Sequence, residues 1–414
     1  MDYEAFRNDA LENYRSLPDE KNELYKRYYM EIPLPSEGEL QAGREQDSRA
    51  EAEALADLIE GKTGLKFDLV FSNSFVRNSS KSICITRMPE LKGMLDKKIY
   101  KGGDNKLAAF INANSRDAIV ISAKSGSTEK LNMLFINDSH LVFQCIFEAE
   151  AKSSLDVFEI FASTKTGSLS APLHEFHVGE GAHMEFTLLN DGNGKSAFLN
   201  LSKGDLMENG KLNANFVYNG SGLTKAVNVF DTKGAGSSAE ATETVYGTGN
   251  QKFDINTYML NSKERSRTRL NTGAILDGDS QCRLKGYAKI EKYTKGAYSN
   301  INERGILLSQ KAHIDALPDM SIDYSDEVSA THSAATSPID EEALFYLTSR
   351  GIEEHSARKM FVASFLSKYL SNIRNPAAKE IASSIMLSRI EGSDFGVIKD
   401  VTPKGIWLTA NTQG

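Results

Sequence analysis

The chain opens with helical periodicity. Apolar side chains recur three and four positions apart among charged residues, which is typical of amphipathic helices. The pattern covers residues 3–16, 19–31 and 47–59. Residues 33–43, which include two prolines and two glycines, separate the last two of these segments and predict a mobile connection without regular structure.

From about residue 65 the pattern changes to short apolar or alternating runs bounded by Gly, Asn, Asp or Ser, as in β-strands. These runs are Phe67–Phe71, Ser82–Thr86, Ala118–Ser122, Leu131–Ile136, Leu141–Phe147, Val157–Phe161, Met184–Leu189, Ala197–Leu201, Ala214–Tyr218, Ala226–Phe230, Phe253–Met259, Tyr287–Ile290 and Ile306–Leu308. Glycines recur at intervals of roughly 20–30 residues, which is near the length of one β-solenoid coil. A β-sandwich usually needs a shorter chain, so we favour a solenoid over a sandwich.

Helical periodicity returns near residue 337. Ser337 and Pro338 predict a helix N-terminus, followed by a helix over 341–350. A second helix over 353–373 carries a wide apolar stripe, and a third covers 377–390. The stripe must be covered either by this chain or by a partner protein, and the pattern leaves both readings open.

These patterns divide the chain into three parts: an N-terminal helical region (1–64), a β core (65–330) and a C-terminal helical domain (331–414). The net charge of −8 disfavours binding to nucleic acid. No apolar run is long enough for a transmembrane helix, and the first residues lack the layout of a signal peptide. We therefore expect a soluble cytoplasmic protein that binds neither nucleic acid nor membrane.

The three cysteines are too few and too scattered for a disulfide framework. Cys84 and Cys145 lie within apolar runs and are predicted to be buried small hydrophobes. Cys282 lies between Gln281 and Arg283 and is predicted to be the most accessible of the three.

A histidine-rich segment is a first candidate for metal binding. His174, His177 and His183, together with Glu175 and Glu180, offer metal-ligating side chains within a short stretch. On a strand, however, residues three apart point to opposite faces. We therefore favour separate roles for these histidines over a shared metal site.

His332 is a second candidate. It lies among small residues, Thr331–Ser337, in a segment predicted as a turn where the β core meets the helices. A neutral imidazole at such a junction can bind a borderline metal or carry a proton, but it can also be an ordinary turn residue. Spacing alone leaves both readings open.

Four ordered runs near the end of the β region carry a family resemblance. They are Ala312–Pro318, Ile322–Val328, Thr331–Thr336 and Ile339–Ile352. In these runs the chain resembles the SufB/SufD family of iron–sulfur cluster assembly proteins. Weaker similarities, at Phe67–Asn73, Val178–Ala182 and Asn271–Leu276, extend the resemblance over roughly residues 65–375.

The resemblance implies a mainly β protein with a right-handed parallel β-helix core between helical ends. It also implies two partners: the ABC-type ATPase SufC, and a second SufB- or SufD-type subunit that pairs at the end of the β-helix. ATP binding by SufC would open that subunit interface, where a nascent cluster is built. The residues implied for the ATPase contact are Phe345, Tyr346, Arg350, Gly351, Ile352, Glu353 and Glu354.

Two positions favour a SufD-like over a SufB-like chain. SufB-type chains carry a cysteine where this chain has Glu303, and a glutamate where it has Ser333. The shared histidine, kept as His332, is implied as a cluster ligand. Glu303 can also ligate iron if it faces a partner's cysteine, although more weakly than a thiolate. The cluster would be transient and would lie at the subunit interface, and this chain alone would hold none stably.

The resemblance therefore predicts a non-catalytic scaffold subunit of the SUF machine. A self-pairing scaffold, in which two copies replace the SufB–SufD pair, is the main alternative. A β-helix carbohydrate-active enzyme is a remote one, because such enzymes use aromatic sugar platforms and the single tryptophan, Trp407, lies outside the β region.

Overall fold

The computed structural model describes residues 2–17, 30, 32–45, 48–91, 105–163, 165–192, 194–323 and 326–390, with the backbone of 398–400 and 405–406. Most of the predicted helix 19–31, and Trp407, lie outside the described residues. The helices are α1 (Tyr3–Ser16), α2 (Glu37–Glu45), α3 (Arg49–Thr63), α4 (Lys106–Asn114), α5 (Glu341–Ser349), α6 (Glu354–Leu370) and α7 (Pro376–Ile390).

Strands make up most of the chain between α3 and α5. They are β1 (Leu69–Phe71), β2 (Val76–Asn78), β3 (Ile83–Arg87), β4 (Asp117–Ala123), β5 (Thr128–Asn137), β6 (His140–Ala149), β7 (Ser154–Ser163), β8 (Leu169–Val178), β9 (His183–Asp191), β10 (Ala197–Leu206), β11 (Lys211–Tyr218), β12 (Leu223–Thr232), β13 (Ser238–Gly247), β14 (Lys252–Asn261), β15 (Arg267–Leu276), β16 (Gln281–Ile290), β17 (Tyr298–Leu307), β18 (His313–Ala316), β19 (Asp319–Ile322) and β20 (Ser329–Pro338). Two short strands, β21 (Ile398–Asp400) and β22 (Gly405–Ile406), follow α7.

The strands wind into a parallel β-solenoid with two faces. Sheet A has the order β2-β1-β5-β7-β9-β11-β13-β15-β17-β20, and sheet B has the order β18-β16-β14-β12-β10-β8-β6-β4-β3 with β19 beside β16. From β4 onward each coil contributes a strand to each sheet, and neighbouring coils pair in parallel. At the N-terminal end of the solenoid β2 pairs antiparallel with β1, and β3 pairs antiparallel with β4. Partners in register lie about one coil apart, as Glu243 and Thr272 do at a separation of 29 residues. The predicted solenoid is confirmed.

Side chains alternate between the interior of the solenoid and its outer faces. Near the N-terminal end aromatic rings fill the interior, and these large apolar side chains close-pack the space between the two sheets. The rings of Phe143 and Phe135 stack with centroids 4.9 Å apart, and those of Phe135 and Phe161 with centroids 4.7 Å apart. Toward the C-terminal end polar side chains enter this interior.

Helices cover the outer faces of both sheets. Helices α3, α6 and α7 pack on the outer face of sheet A, and α2 and α4 on that of sheet B. Val362, Leu366 and Leu370 of α6 are buried in this contact, so most of the predicted apolar stripe is covered by the chain itself. Among the described residues, none of the helices is long and apolar enough to cross a bilayer.

Several local predictions were wrong. Helix α2 occupies part of the predicted mobile connection, and α4 interrupts the β region where no helix was expected. The predicted turn Thr331–Ser337 is part of strand β20, because it pairs in register with β17 and so continues the solenoid past residue 330. Asp340, and not Ser337, caps the helix that follows: its side chain accepts hydrogen bonds from the backbone N–H groups of Glu342 and Ala343.

Candidate functional site

The solenoid ends in a strand with one open edge. Strand β20 pairs with β17, and within the described chain no strand covers its other side. The N–H groups of Ser329 and Ile339 donate to the carbonyls of Ala297 and Leu307, toward β17. In a strand, alternate residues direct their N–H and C=O groups to opposite sides. The alternate residues between Ser329 and Ile339 therefore direct their backbone groups to the open edge. These are Ala330, His332, Ala334 and Thr336. Such an edge can pair with a strand of another chain.

The register brings the two predicted cluster residues to one place. His332 is the partner of Ile301, and Ala334 is the partner of Glu303. The Ile301 side chain is fully buried in the interior, so His332 continues the same inward-facing row. His332 is nevertheless exposed, because within the described chain no further coil lies above it. Strand spacing and rise place the Cα atoms of His332 and Glu303 about 8 Å apart.

Glu303 lies one coil deeper, inside the solenoid. Its side chain is 1% exposed, and its Oε1 accepts a hydrogen bond of 2.6 Å from the backbone N–H of Gly286 on the opposite sheet. Burial raises the pKa of Glu303 to about 7, although the Gly286 N–H opposes that rise. The second oxygen, Oε2, has no hydrogen-bond partner in the part of the chain that the structure describes. The carboxyl group therefore gains or loses a proton near neutral pH.

A polar network continues from Glu303 into the interior. Glu243, two coils away in the same row of sheet A, accepts hydrogen bonds from Thr257, Thr272 and Asn228. Burial raises the pKa of Glu243, and these hydrogen bonds partly counteract the rise. The interior near the open end thus holds two carboxyl groups that burial makes easier to protonate.

A second interior cluster lies toward the other end of the solenoid. The ligand atoms of Cys145, Glu159 and His174 lie within 4.8 Å of one another, and all three side chains are buried. Cys145 and His174 are register partners on β6 and β8, and Glu159 faces them from β7. The sequence analysis missed this cluster because the three residues are far apart along the chain.

The other histidines of that segment lie elsewhere, as the strand geometry predicted. His183 Nε2 lies 2.6 Å from Glu185 Oε1 on the outer face of sheet A, next to Arg374. His177 is only partly buried, on the opposite face of β8 from His174. No shared site of the three histidines forms in the described chain.

Two of the three cysteine predictions were wrong. Cys145 is buried as expected, but Cys84 is exposed and Cys282 is buried. Cys282 points into the interior because its polar neighbours, Gln281 and Arg283, take the alternate positions of β16. Burial raises the pKa of the Cys145 and Cys282 thiols well above the ordinary value, so neither is a reactive thiolate at neutral pH without a bound cation.

Comparison with known proteins identifies the family. The family model for the SUF system FeS cluster assembly SufBD core domain matches residues 135–365. The chain belongs to the SufBD family. Its curated relatives include iron–sulfur cluster assembly SufBD family proteins of Staphylococcus aureus and Staphylococcus epidermidis, each 25% identical over 228 residues. That alignment covers 55% of this chain and 49% of each relative, so the chain spans about half the length of the curated relatives it matches.

The SufBD match includes the open edge and the surface predicted to contact an ATPase. That surface is formed by α5 and the start of α6. Phe345 and Tyr346 expose 73% and 57% of their surface, and the Arg350 guanidinium lies 5.0 Å from the centre of the Tyr346 ring. We call these three residues the aromatic patch. Such large exposed aromatic side chains are typical of interaction surfaces.

The remaining residues of the predicted contact mainly shape the turn between the helices. Gly351 adopts a φ of 88°, which favours glycine, and Ile352 is half-buried beneath α5. The Glu353 carboxylate caps α6 by accepting the Ser356 N–H, and Glu354 pairs with Arg358. The turn therefore holds the aromatic patch in place.

Proposed function

We propose that this chain is a SufD-like, non-catalytic scaffold subunit of the SUF iron–sulfur cluster assembly machine, acting in the cytoplasm. It would pair with a SufB-type subunit through the open edge of β20, and with a SufC-type ATPase through the aromatic patch. The observation that carries the proposal is the open end of the solenoid, where a strand edge unpaired within the described chain occurs together with His332 and Glu303, which lie in neighbouring inward-facing rows.

His332 is the residue proposed to meet the nascent cluster. Its imidazole lies at the solenoid end, where a partner strand on the open edge would cover it, and neutral imidazole is a suitable ligand for iron. Glu303 is the weaker candidate, because its carboxyl group would have to leave the Gly286 N–H to reach a cluster. The cluster is the cargo of the assembly and would be held only transiently.

The aromatic patch is proposed as the ATPase contact. Its two rings lie outside the packed core of this chain, and Arg350 stacks beside one of them. Aromatic and arginine side chains supply much of the binding energy at protein interfaces. Docking on α5 would place the ATPase beside Ile339 and β20, because α5 packs against the final coil.

The subunit contact is tested by a substitution that changes only the open edge. The residue Ala334 points its N–H to that edge, so Ala334→Pro removes an edge donor without breaking a hydrogen bond to β17. Co-expression with a SufB-like chain and a SufC-like ATPase, followed by size exclusion, should give a complex with the wild type and lose the SufB-like chain with the variant. Retention of that chain by a folded Ala334→Pro variant would argue against edge pairing.

The ATPase contact is tested by truncating the patch. Phe345→Ala combined with Tyr346→Ala should abolish co-elution with the SufC-like ATPase and leave the SufB-like chain bound. Tyr293→Ala removes a ring that is 79% exposed in the turn between β16 and β17, outside the aromatic patch, and it should leave the ATPase bound. Glu353 is a poor test position because its substitution also removes the cap of α6. An unchanged elution profile for the double variant would refute the proposed contact.

The cluster role is tested in the assembled complex. His332→Ala should lower the yield of reconstituted cluster, measured by iron and sulfide content and by absorbance, without dissociating the subunits. His355→Ala, which removes another exposed histidine from α6, is the matched control. Equal cluster yields for wild type and His332→Ala would remove His332 from the proposal.

A self-pairing scaffold is the second candidate, because the open edge of β20 can also receive the β20 of another copy. Light scattering of the chain purified alone separates the two proposals. A dimer that Ala334→Pro converts to a monomer would favour self-pairing. A chain that is monomeric alone and forms a complex only with a SufB-like chain would favour the SufB–SufD-type pair.

A further inference from the structure

The buried cluster of Cys145, Glu159 and His174 has unsatisfied polar atoms. Both carboxylate oxygens of Glu159 and the Nε2 atom of His174 are buried without a hydrogen-bond partner among the described residues. Nε2 lies 3.1 Å from Glu159 Oε2, with an orientation that is not that of a hydrogen bond. A buried carboxylate without hydrogen bonds is costly, so a positive charge is expected between these atoms.

The neighbouring network fixes which nitrogen of His174 carries the hydrogen. Asn228 donates its amide hydrogens to Glu243 and Thr257, so its Oδ1 is left to accept from Asn200. Asn200 therefore turns its Oδ1 toward His174 Nδ1, at a distance of 3.0 Å. In the neutral ring Nδ1 then carries the hydrogen, and Nε2, 3.1 Å from Glu159 Oε2, is left with its lone pair. A carbonyl that holds the far nitrogen in this way is the usual support of a metal-ligating histidine.

We propose that Cys145, Glu159 and His174 bind one borderline divalent cation, such as Zn²⁺, inside the solenoid. A thiolate, a carboxylate and a neutral imidazole are ligands of this class of metal, and three protein ligands leave one coordination position open. One thiolate and one carboxylate neutralise a divalent ion. The site would thus have no net charge, as its surroundings require.

The surroundings are apolar on several sides. The rings of Phe147, Phe161, Phe176 and Phe186 lie with their centroids 5.5–6.4 Å from the imidazole of His174. Such an environment disfavours a free thiolate, and burial raises the pKa of the Cys145 thiol accordingly. Bound metal reverses this effect, because a coordinating thiol is deprotonated.

The proposed metal site is separate from the open end of the solenoid. His174 on β8 lies five strand spacings from β18, roughly 24 Å along the solenoid axis. The proposal therefore does not depend on the assembly function. Because all three ligands are buried, the metal would enter before the coils close and would exchange slowly afterwards.

The test uses the full chain, expressed in minimal medium supplemented with Zn²⁺ or with Co²⁺ and purified without a metal-affinity step. Elemental analysis of the wild type should give one metal ion per chain, and the cobalt form should show thiolate-to-cobalt charge-transfer absorption. Cys145→Ala should lose this absorption and about tenfold or more of the bound metal. Cys282→Ala, at another buried cysteine of the interior, and Cys84→Ala should keep both.

Two results would overturn the proposal. Wild-type protein without stoichiometric metal would mean that these three side chains hold no metal ion. Undiminished charge-transfer absorption in Cys145→Ala would place the metal at another thiol. The wild-type measurements decide the first point even if the variant fails to fold.

Discussion

Replacing Glu303 with glutamine should make the stability of this protein less dependent on pH. The carboxyl group of Glu303 is almost completely buried, and its pKa is about 7 in the folded chain against an ordinary value of 4.5. The folded state therefore keeps a proton that the unfolded chain releases between these two pH values. The stabilisation from this proton is fully present below about pH 4.5 and is lost as the pH rises to about 7.

The size of the effect follows from the two pKa values. Their difference, multiplied by about 1.36 kcal/mol per pKa unit, gives about 3 kcal/mol. Glutamine is neutral at every pH, and its carbonyl oxygen can still accept the hydrogen bond from the Gly286 N–H. Relative to the wild type, Glu303→Gln should therefore gain about 3 kcal/mol in the free energy of unfolding between about pH 4.5 and about pH 7, and little above that.

Urea unfolding of both proteins across this pH range measures the difference directly, because the other titrating groups cancel between them. Glu208→Gln, at an exposed turn of the solenoid, is the control and should show no such trend. A constant difference in the free energy of unfolding between Glu303→Gln and the wild type at all pH values would show that Glu303 has the same pKa in the folded chain as in the unfolded chain. That result would refute the argument from burial.

Two further predictions concern packing and charge. Asp254→Asn should lower the free energy of unfolding by about 3–5 kcal/mol in urea titrations, because it removes the carboxylate that pairs with the buried Arg283 guanidinium through both of its oxygens; a loss below about 1 kcal/mol would contradict this. Gly273→Ala should cost about 1–3 kcal/mol, because the added methyl would lie 2.3 Å from the Tyr369 ring of α6. Combining Gly273→Ala with Tyr369→Ala should cost less than the sum of the two single changes, and simple additivity would show that α6 does not press on this glycine.

Local patterns in the sequence were sufficient to predict most of the helices and strands. The short apolar runs Leu131–Ile136 and Leu141–Phe147 predicted strands that the structure confirms as parts of β5 and β6. The helix over 377–390 was predicted to within one residue of its observed start. These features depend on neighbours within a few residues, which a sequence pattern records directly.

The same local reasoning failed where a distant partner decides the outcome. Thr331–Ser337 has the small residues of a turn but forms a strand, because β17 offers it a complete row of hydrogen bonds. Cys282 looked accessible from its polar neighbours, yet β-alternation turns it into the interior. The strand at Thr331–Ser337 cannot be read from the residues on either side, and the inward position of Cys282 follows only once the pairing with β14 establishes β16 as a strand.

The sequence by itself determined the class of the fold and, through its resemblance to the SufB/SufD family, the importance of the segment around His332. Only the tertiary structure decided which residues share a site. The length of each coil sets the register, and the register makes neighbours of Cys145 and His174, and brings Glu303 next to the row of His332. That length is the sum of many turns and strands, so contacts between coils follow from the whole solenoid and not from any single motif.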